Sequence, residues 1–237
     1  AALAMCDSIR QYFNSDSPYN YPLKGGSSIK LSNIDDDYCQ IPVVIKWPND
    51  FYMLKPSYYH SHFKKSGLTL EEFIKTSIEG AGVDPNQFTK VAGILLNLKY
   101  TNKWEILIGI GVNCFNQHPN PCVKDWVEII KSHYNEPVDL ENMEALTFER
   151  ITARYLNCLD SWLTHFENFD NPALLQSFLK RYYKYWMHSG QEVTLTEFNN
   201  TKCKVMGISE DYGYLEVKSN DKGSVYQLKP DGNSFNI

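Results

Sequence analysis

The sequence predicts a mixed α and β protein that closes in a small β-barrel, and three observations predict it. Two apolar runs of strand character, Val91 to Tyr100 and Trp104 to Asn113, are separated by three turn residues. Three stretches between 123 and 186 repeat their apolar residues at helical spacing. After Gly190 four short strands follow one another, punctuated by Gly, Asn and Asp, as in a small barrel.

Composition bounds the rest. The chain has 237 residues, 43% hydrophobic and 14% aromatic, enough to bury the core of one large domain or two modest ones. Lys and Arg number 23 against 28 Asp and Glu, a formal charge of −5. That balance lacks the basic footprint that grips a phosphate backbone, which argues against nucleic-acid binding. No apolar run reaches the roughly 18 residues of a membrane span, and no basic-then-apolar leader opens the chain. The composition reads as a soluble, cytoplasmic, globular protein. Cys6, Cys39, Cys114, Cys122, Cys158 and Cys203 are scattered without a C-x-x-C pair and read as reduced, mostly buried thiols. His60 and His62 would share one face of a strand, but no third ligand lies near them, so no structural metal site is expected.

In chain order, Leu3, Met5, Ile9, Tyr12 and Phe13 fall close to helical spacing with no capping residue before them, which suggests a piece of something longer. Residues 14–40, with Gly25-Gly26 and the run Asp35-Asp36-Asp37, read as a solvated insertion. Pro42 to Trp47 reads as a buried strand stopped by Pro48. Residues 51–89 read as a second insertion that holds one helix. Thr69 caps it, Glu72 reaches back, Leu68 staples against Phe73, and Gly80 ends it. Helices follow at Val123 to Tyr134, at Phe148 to Phe166, and at Pro172 to Trp186 behind Asn171 as N-cap. The stripe Phe148, Ile151, Tyr155, Leu159, Trp162, Leu163 and Phe166 is read as core. Strands are expected at Glu192 to Thr196, Lys202 to Ser209, Gly213 to Lys218 and Ser224 to Leu228.

Three segments carry chemistry. In Lys46-Trp47-Pro48-Asn49-Asp50, a strand end turns and presents one cation and one anion; an ordinary turn is the plain alternative. Lys90 heads an apolar strand, either snorkelling to its mouth or held in a low-dielectric site to receive an anion. Gly93 weakens that strand unless a ligand or backbone approaches closely. Gly109 and Gly111 share one face of the next strand and leave a bare floor, and Asn113 closes it with an amide that both donates and accepts.

The trio in this order resembles the biotin protein ligases (holocarboxylase synthetases), the fungal form especially, with K-W-P-N-D, then K-x-x-G-I-L, then I-G-x-G-x-N. Trp186 to Gln191 and Pro230 to Phe235 resemble the C-terminal signatures of the eukaryotic ligases. The resemblance implies an α+β catalytic domain of the class II aminoacyl-tRNA synthetase and biotin ligase type, N-terminally truncated, over 1–187 with its insertions at 14–40 and 51–89. An SH3-like β-barrel over 188–237 would follow. It implies a ligase that joins biotin and ATP into biotinyl-5′-AMP and pyrophosphate, then passes the biotinyl group to a lysine on the biotin-accepting domain of a carboxylase. Lys90 matches the lysine that contacts biotin's carboxylate and the adenylate phosphate. Gly93 and Gly109 match floor residues beside the biotin chain. Lys46, Asn49 and Asp50 match the strand end near the ATP phosphates and Mg²⁺, and Asn113 matches the nucleotide-side amide.

Two departures stand out. No G-R-G-R loop of the kind that wraps the adenylate occurs in the sequence, and Asn236 stands where the family usually has Asp. The chain therefore reads as the C-terminal portion of a ligase, inactive by itself. A non-catalytic module that docks a carboxylase is the competing reading. A lipoate ligase relative is a third, against which the K-W-P-N-D strand end and the Pro230 to Phe235 tail argue.

Overall fold

The computed structural model describes residues 1–10, 12, 41–78, 83–116, 118–133, 146–166, 172–221 and 223–230, without the side chains of 165, 166 and 172–174. The expected Gly25-Gly26 turn, the Asp35 to Asp37 run, the Gly80 cap, the Asn171 cap and the tail from Asp231 to Asn236 lie outside the described residues.

Helix α1 (Ala2–Arg10) leads into β1 (Val43–Lys46) and β2 (Asp50–Leu54). Helices α2 (Pro56–Ser66) and α3 (Leu70–Ile78) follow, then the long hairpin β3 (Phe88–Tyr100) and β4 (Trp104–Val112). Helices α4 (Val123–His133), α5 (Phe148–Phe166) and α6 (Pro172–Tyr185) precede β5 (Glu192–Leu195), β6 (Thr201–Ile208), β7 (Leu215–Ser219) and β8 (Val225–Leu228). The first four strands form one antiparallel sheet in the order β1-β2-β3-β4, and the last four form a second in the order β5-β6-β7-β8. Each of the four late strands falls within about two residues of its expected place, the precision that alternation and turn residues allow.

A single apolar cluster joins the two sheets. It runs from Leu3 and Ile9 of α1 through Val43, Ile45 and Phe51, past Trp126, Tyr155 and Trp162, to Tyr185, Val193 and Val217. The Trp126 indole N–H donates to the Leu54 carbonyl at 2.6 Å, tying α4 to the end of β2. In α1 every residue from Leu3 to Arg10 is buried, charged ones included. Arg10 donates to the Val43 carbonyl at 3.0 Å and lies 4.2 Å from the Tyr185 ring centroid. No helix among the described residues is long and apolar enough to cross a membrane. Among them also, the five described cysteines are free and buried, and no cluster of three metal-ligating side chains occurs.

The capping box at the start of α3 forms as expected. The Thr69 N–H donates to the Glu72 carboxylate at 2.9 Å and the Glu72 N–H to Thr69 Oγ1 at 3.2 Å. The Thr69 N–H, and then the Thr69 hydroxyl that donates to the same carboxylate at 3.0 Å, hold the Glu72 carboxyl below its ordinary pKa. Three expectations are corrected. The segment from 51 begins as β2, an inner strand of the sheet, and continues as α2 rather than as loop. His60 and His62 therefore lie on a helix and do not share a strand face, and His62 stacks on Tyr58 with ring centroids 4.1 Å apart. In the α5 stripe, Phe148 and Leu163 are exposed at the rim, although Ile151, Tyr155 and Trp162 are core. Phe148 meets Phe115 edge-on at 4.8 Å instead.

The outer half of the β3–β4 hairpin stands clear of the cluster. Leu95 and Leu107 keep 76% and 71% of their surface in water, and Leu96, Leu98, Tyr100, Trp104 and Ile106 are exposed as well.

Candidate active site

The first sheet gathers the three motifs by register. Lys46 pairs with Asp50 across the β1–β2 turn, Asp50 pairs with Gly93, and Gly93 faces Gly111 with Leu95 facing Gly109. Lys90 and Gly93 are three apart and in a regular strand would point to opposite faces. A register shift between Phe51 and Tyr52 makes Tyr52 pair with Lys90 while Phe51 pairs with Ala92. Val91 and Ala92 both turn inward as a result, and Lys90 emerges on the same face as Asp50 and Gly93. Irregularities of this kind beside a site re-aim a side chain.

On that face the Lys90 ammonium lies 2.7 Å from Asp50 Oδ1, with side chains 50% and 28% exposed. Among the described residues the Lys90 ammonium is therefore half exposed rather than enclosed. An ion pair so exposed is worth about 0–1 kcal/mol, so an incoming carboxylate or phosphate can replace Asp50 at little cost. The Lys46 ammonium sits 5.5 Å from the centroid of Tyr52, the β2 residue that pairs with Lys90. A Cβ on Gly93 would stand 3.0 Å from Asp50 Oδ1 and 3.6 Å from Lys90 Nζ, so glycine leaves room for the pair. Beside it, a Cβ on Gly109 would meet only Leu95, at 3.9 Å, and one on Gly111 nothing within 4 Å. The floor is bare and open.

Both asparagines bond to backbone, Asn49 across to β3 and Asn113 within its own loop. The Asn49 amide donates to the Ile94 carbonyl, and the Ile94 N–H donates to the Asn49 carbonyl at 3.0 Å. Asn113 Nδ2 donates to the carbonyls of Asn116 at 2.8 Å and Pro121 at 3.2 Å, and its Oδ1 accepts from the Asn116 N–H at 3.1 Å. The structure thus brings Lys46, Asp50, Lys90, Gly93 and Gly109 onto one face and sets Asn49 and Asn113 at its border as loop organisers. Sequence reasoning missed Tyr52, although it alternates with Asp50 along β2, and missed His188, whose ring backs the Lys46–Asp50 turn.

The fold matches the crystal structure of biotin protein ligase from Aquifex aeolicus with a TM-score of 0.51 at 15% identity, over 100% of this chain and 74% of that one. No family model matches the sequence. The chain is similar along most of its length to curated biotin–protein ligases. It is 28% identical to that of Schizosaccharomyces pombe over 209 residues, which cover 84% of this chain and 28% of the relative. To the biotin–protein ligase of Homo sapiens it is 28% identical over 230 residues, 97% of this chain and 26% of the relative. With biotin–protein ligase 2 of Arabidopsis thaliana the identity is 27%, over 82% of this chain and 46% of the relative. The chain spans between about a quarter and a half of the length of these relatives.

Proposed function

We propose that the protein is the C-terminal part of an ATP-dependent biotin–protein ligase, which makes biotinyl-5′-AMP and transfers the biotinyl group to a lysine of a carboxylase's biotin-accepting domain. The observation that carries the reading is the exchangeable Lys90–Asp50 pair beside the floor of Gly93, Gly109 and Gly111. In this reading 1–187 is the catalytic portion and 188–237 an SH3-like unit. Lys90 draws biotin's carboxylate from Asp50's place toward the α-phosphate of ATP, and Gly93 and Gly109 lie beneath the biotin chain. Lys46, Asn49, Asp50 and Asn113 form the nucleotide end. Both steps rest on placing anions together and stabilising the charge that moves between them.

A Mg²⁺ ion fits this donor set through Asp50 and the ATP phosphates, since Mg²⁺ takes one or two carboxylates and completes its shell with phosphate and water. It would neutralise phosphate charge. The buried thiols support a reducing compartment such as the cytoplasm, and neither nucleic acid nor membrane enters the reading.

The test is ATP–pyrophosphate exchange with the product of the complete open reading frame, with and without biotin, followed by label transfer to a biotin-accepting domain. Exchange that needs biotin supports the reading; exchange with lipoate in its place, or none, overturns it. Gly111→Ala gives a sharper check. The new methyl meets no protein atom within 4 Å, so the melting temperature stays put. Biotin affinity falls by roughly tenfold or more if the ligand lies on the floor, as a steric intrusion of about 1.4 kcal/mol or more would produce. Equal affinity in wild type and variant would remove Gly111 from the floor.

A further inference from the structure

The turn that carries Asn49 and Asp50 is held from outside the first sheet. Residues 186–188 run beside β1: Trp186 bridges Ile45 in parallel, and the Met187 N–H donates to the Ile45 carbonyl at 3.0 Å. One residue further the chain stops pairing by backbone and pairs by side chain. The Trp47 N–H, the last donor before Pro48, gives its hydrogen bond to His188 Nε2 at 2.9 Å. His188 Nδ1 lies 2.7 Å from Gln191 Oε1, so the ring donates from Nδ1 to the Gln191 amide oxygen and accepts at Nε2. The Trp47 indole N–H reaches the Gly213 carbonyl at 3.3 Å, between β6 and β7.

His188 is wholly buried, with Trp186 edge-on at 5.5 Å and Lys46 the charged group that acts on it. Burial first, and then the Lys46 charge, push its pKa down to about 4 against the opposing Gln191 bond. At neutral pH the ring is therefore uncharged, the form able to accept from Trp47. The far end of the turn is clamped on β3 through Asn49 and Ile94. Trp47 is thus the joint at which the second sheet can set where Lys46 and Asp50 point.

We propose that His188 is a positioning residue of the nucleotide end: its Nε2 fixes the Trp47 N–H, and through it the turn that aims Lys46, Asn49 and Asp50 at ATP. The proposal rests on the adenylation reading above. A ring needed only for packing could be replaced by phenyl. A ring needed as acceptor could not, and glutamine, whose Oε1 can stand near the Nε2 position, would restore part of the function.

The test compares His188→Phe and His188→Gln with wild type in the complete product, reading biotin-dependent pyrophosphate exchange, KM for ATP, KM for biotin and melting temperature. The expected result for His188→Phe is a loss of roughly tenfold or more in kcat/KM for ATP, since misplacement of an ångström can cost up to about 10²-fold. KM for biotin should stay within about twofold, because uniform binding at the biotin end is untouched. His188→Gln should recover part of the loss. Where His188→Phe fails to fold, Gln191→Leu, which keeps the ring but frees its rotation, decides by the same split. Unchanged ATP kinetics with a lowered melting temperature would overturn the proposal and leave the adenylation reading standing. Wild type without biotin-dependent exchange overturns both.

Discussion

Lys90→Ala lowers biotin-dependent adenylation by about 10²–10³-fold, or about 3–4 kcal/mol of transition-state stabilisation, with the fold intact. The stability half of that expectation comes from the geometry. Lys90 is half exposed and its partner carboxylate is partly exposed, so losing the pair costs about 0–1 kcal/mol of folding free energy. In the proposed reaction a single cation faces biotin's carboxylate first and the α-phosphate as charge moves there, so it stabilises the transition state more than the ground state. Lys90→Arg should rescue poorly, because a planar fork does not reproduce a point charge. Pyrophosphate release and a melting curve on the complete product check both halves. Adenylation within about threefold of wild type would remove Lys90 from the role, being far short of the loss expected for such a donor.

Asp7→Ala is the substitution expected to damage the fold most. Asp7 is fully buried in α1, accepts from the Trp162 indole at 3.1 Å in α5 and pairs with Arg181 at 2.8 Å in α6. Arg181 also lies 5.3 Å from the centroid of Tyr185. One carboxylate therefore ties three helices together. Removing one partner of a buried pair costs about 3–5 kcal/mol, because the other charge stays desolvated. Against a usual total of about 5–15 kcal/mol that is a large share. Denaturant unfolding of the 237-residue chain measures it, and Asp7→Leu combined with Arg181→Met should recover much of the loss, since an apolar pair fills the space without a stranded charge. A loss under about 1 kcal/mol for Asp7→Ala would mean that water reaches the pair.

Where periodicity was strong, the sequence was legible. The β3–β4 hairpin, α4, α5 and the four late strands each alternate or repeat over enough residues to choose one structure, and each is where it was expected. Helix α2 was not, because none of its 11 residues is buried and no apolar stripe marks it. Its remaining signals were Pro56 in the first turn and Gly67, whose φ of 68° suits glycine at a helix end. The motif residues were legible as a set, since one sheet face needs only register to assemble. Their individual tasks were not. That Lys90 shares a face with Gly93 depends on a slip in pairing that no spacing rule reveals. The bonds of Asn49 and Asn113 to backbone carbonyls depend on partners 45 and 8 residues away in sequence being brought close in space. Burial of Asp7 and Arg10 ran against the ordinary expectation that charged residues stay at the surface.

The outer half of the β3–β4 hairpin presents a ribbon of apolar side chains to water. Leu95 and Leu107 on one face, and Leu96, Leu98 and Ile106 on the other, meet water around β4, the last strand of its sheet among the described residues. An unpaired edge of this kind is a template for another chain, and each 100 Å² of apolar surface it covers is worth about 2.5 kcal/mol. The apparent molar mass of the 237-residue chain by light scattering should therefore rise with concentration and with sulfate, which strengthens apolar burial. Leu107→Lys, a charge set on the edge strand, should suppress that rise; scattering unchanged by it would place the sticky surface elsewhere. In colloidal terms the ribbon sets the concentration at which the protein can be kept dispersed, and it does so through side chains that contribute nothing to the core.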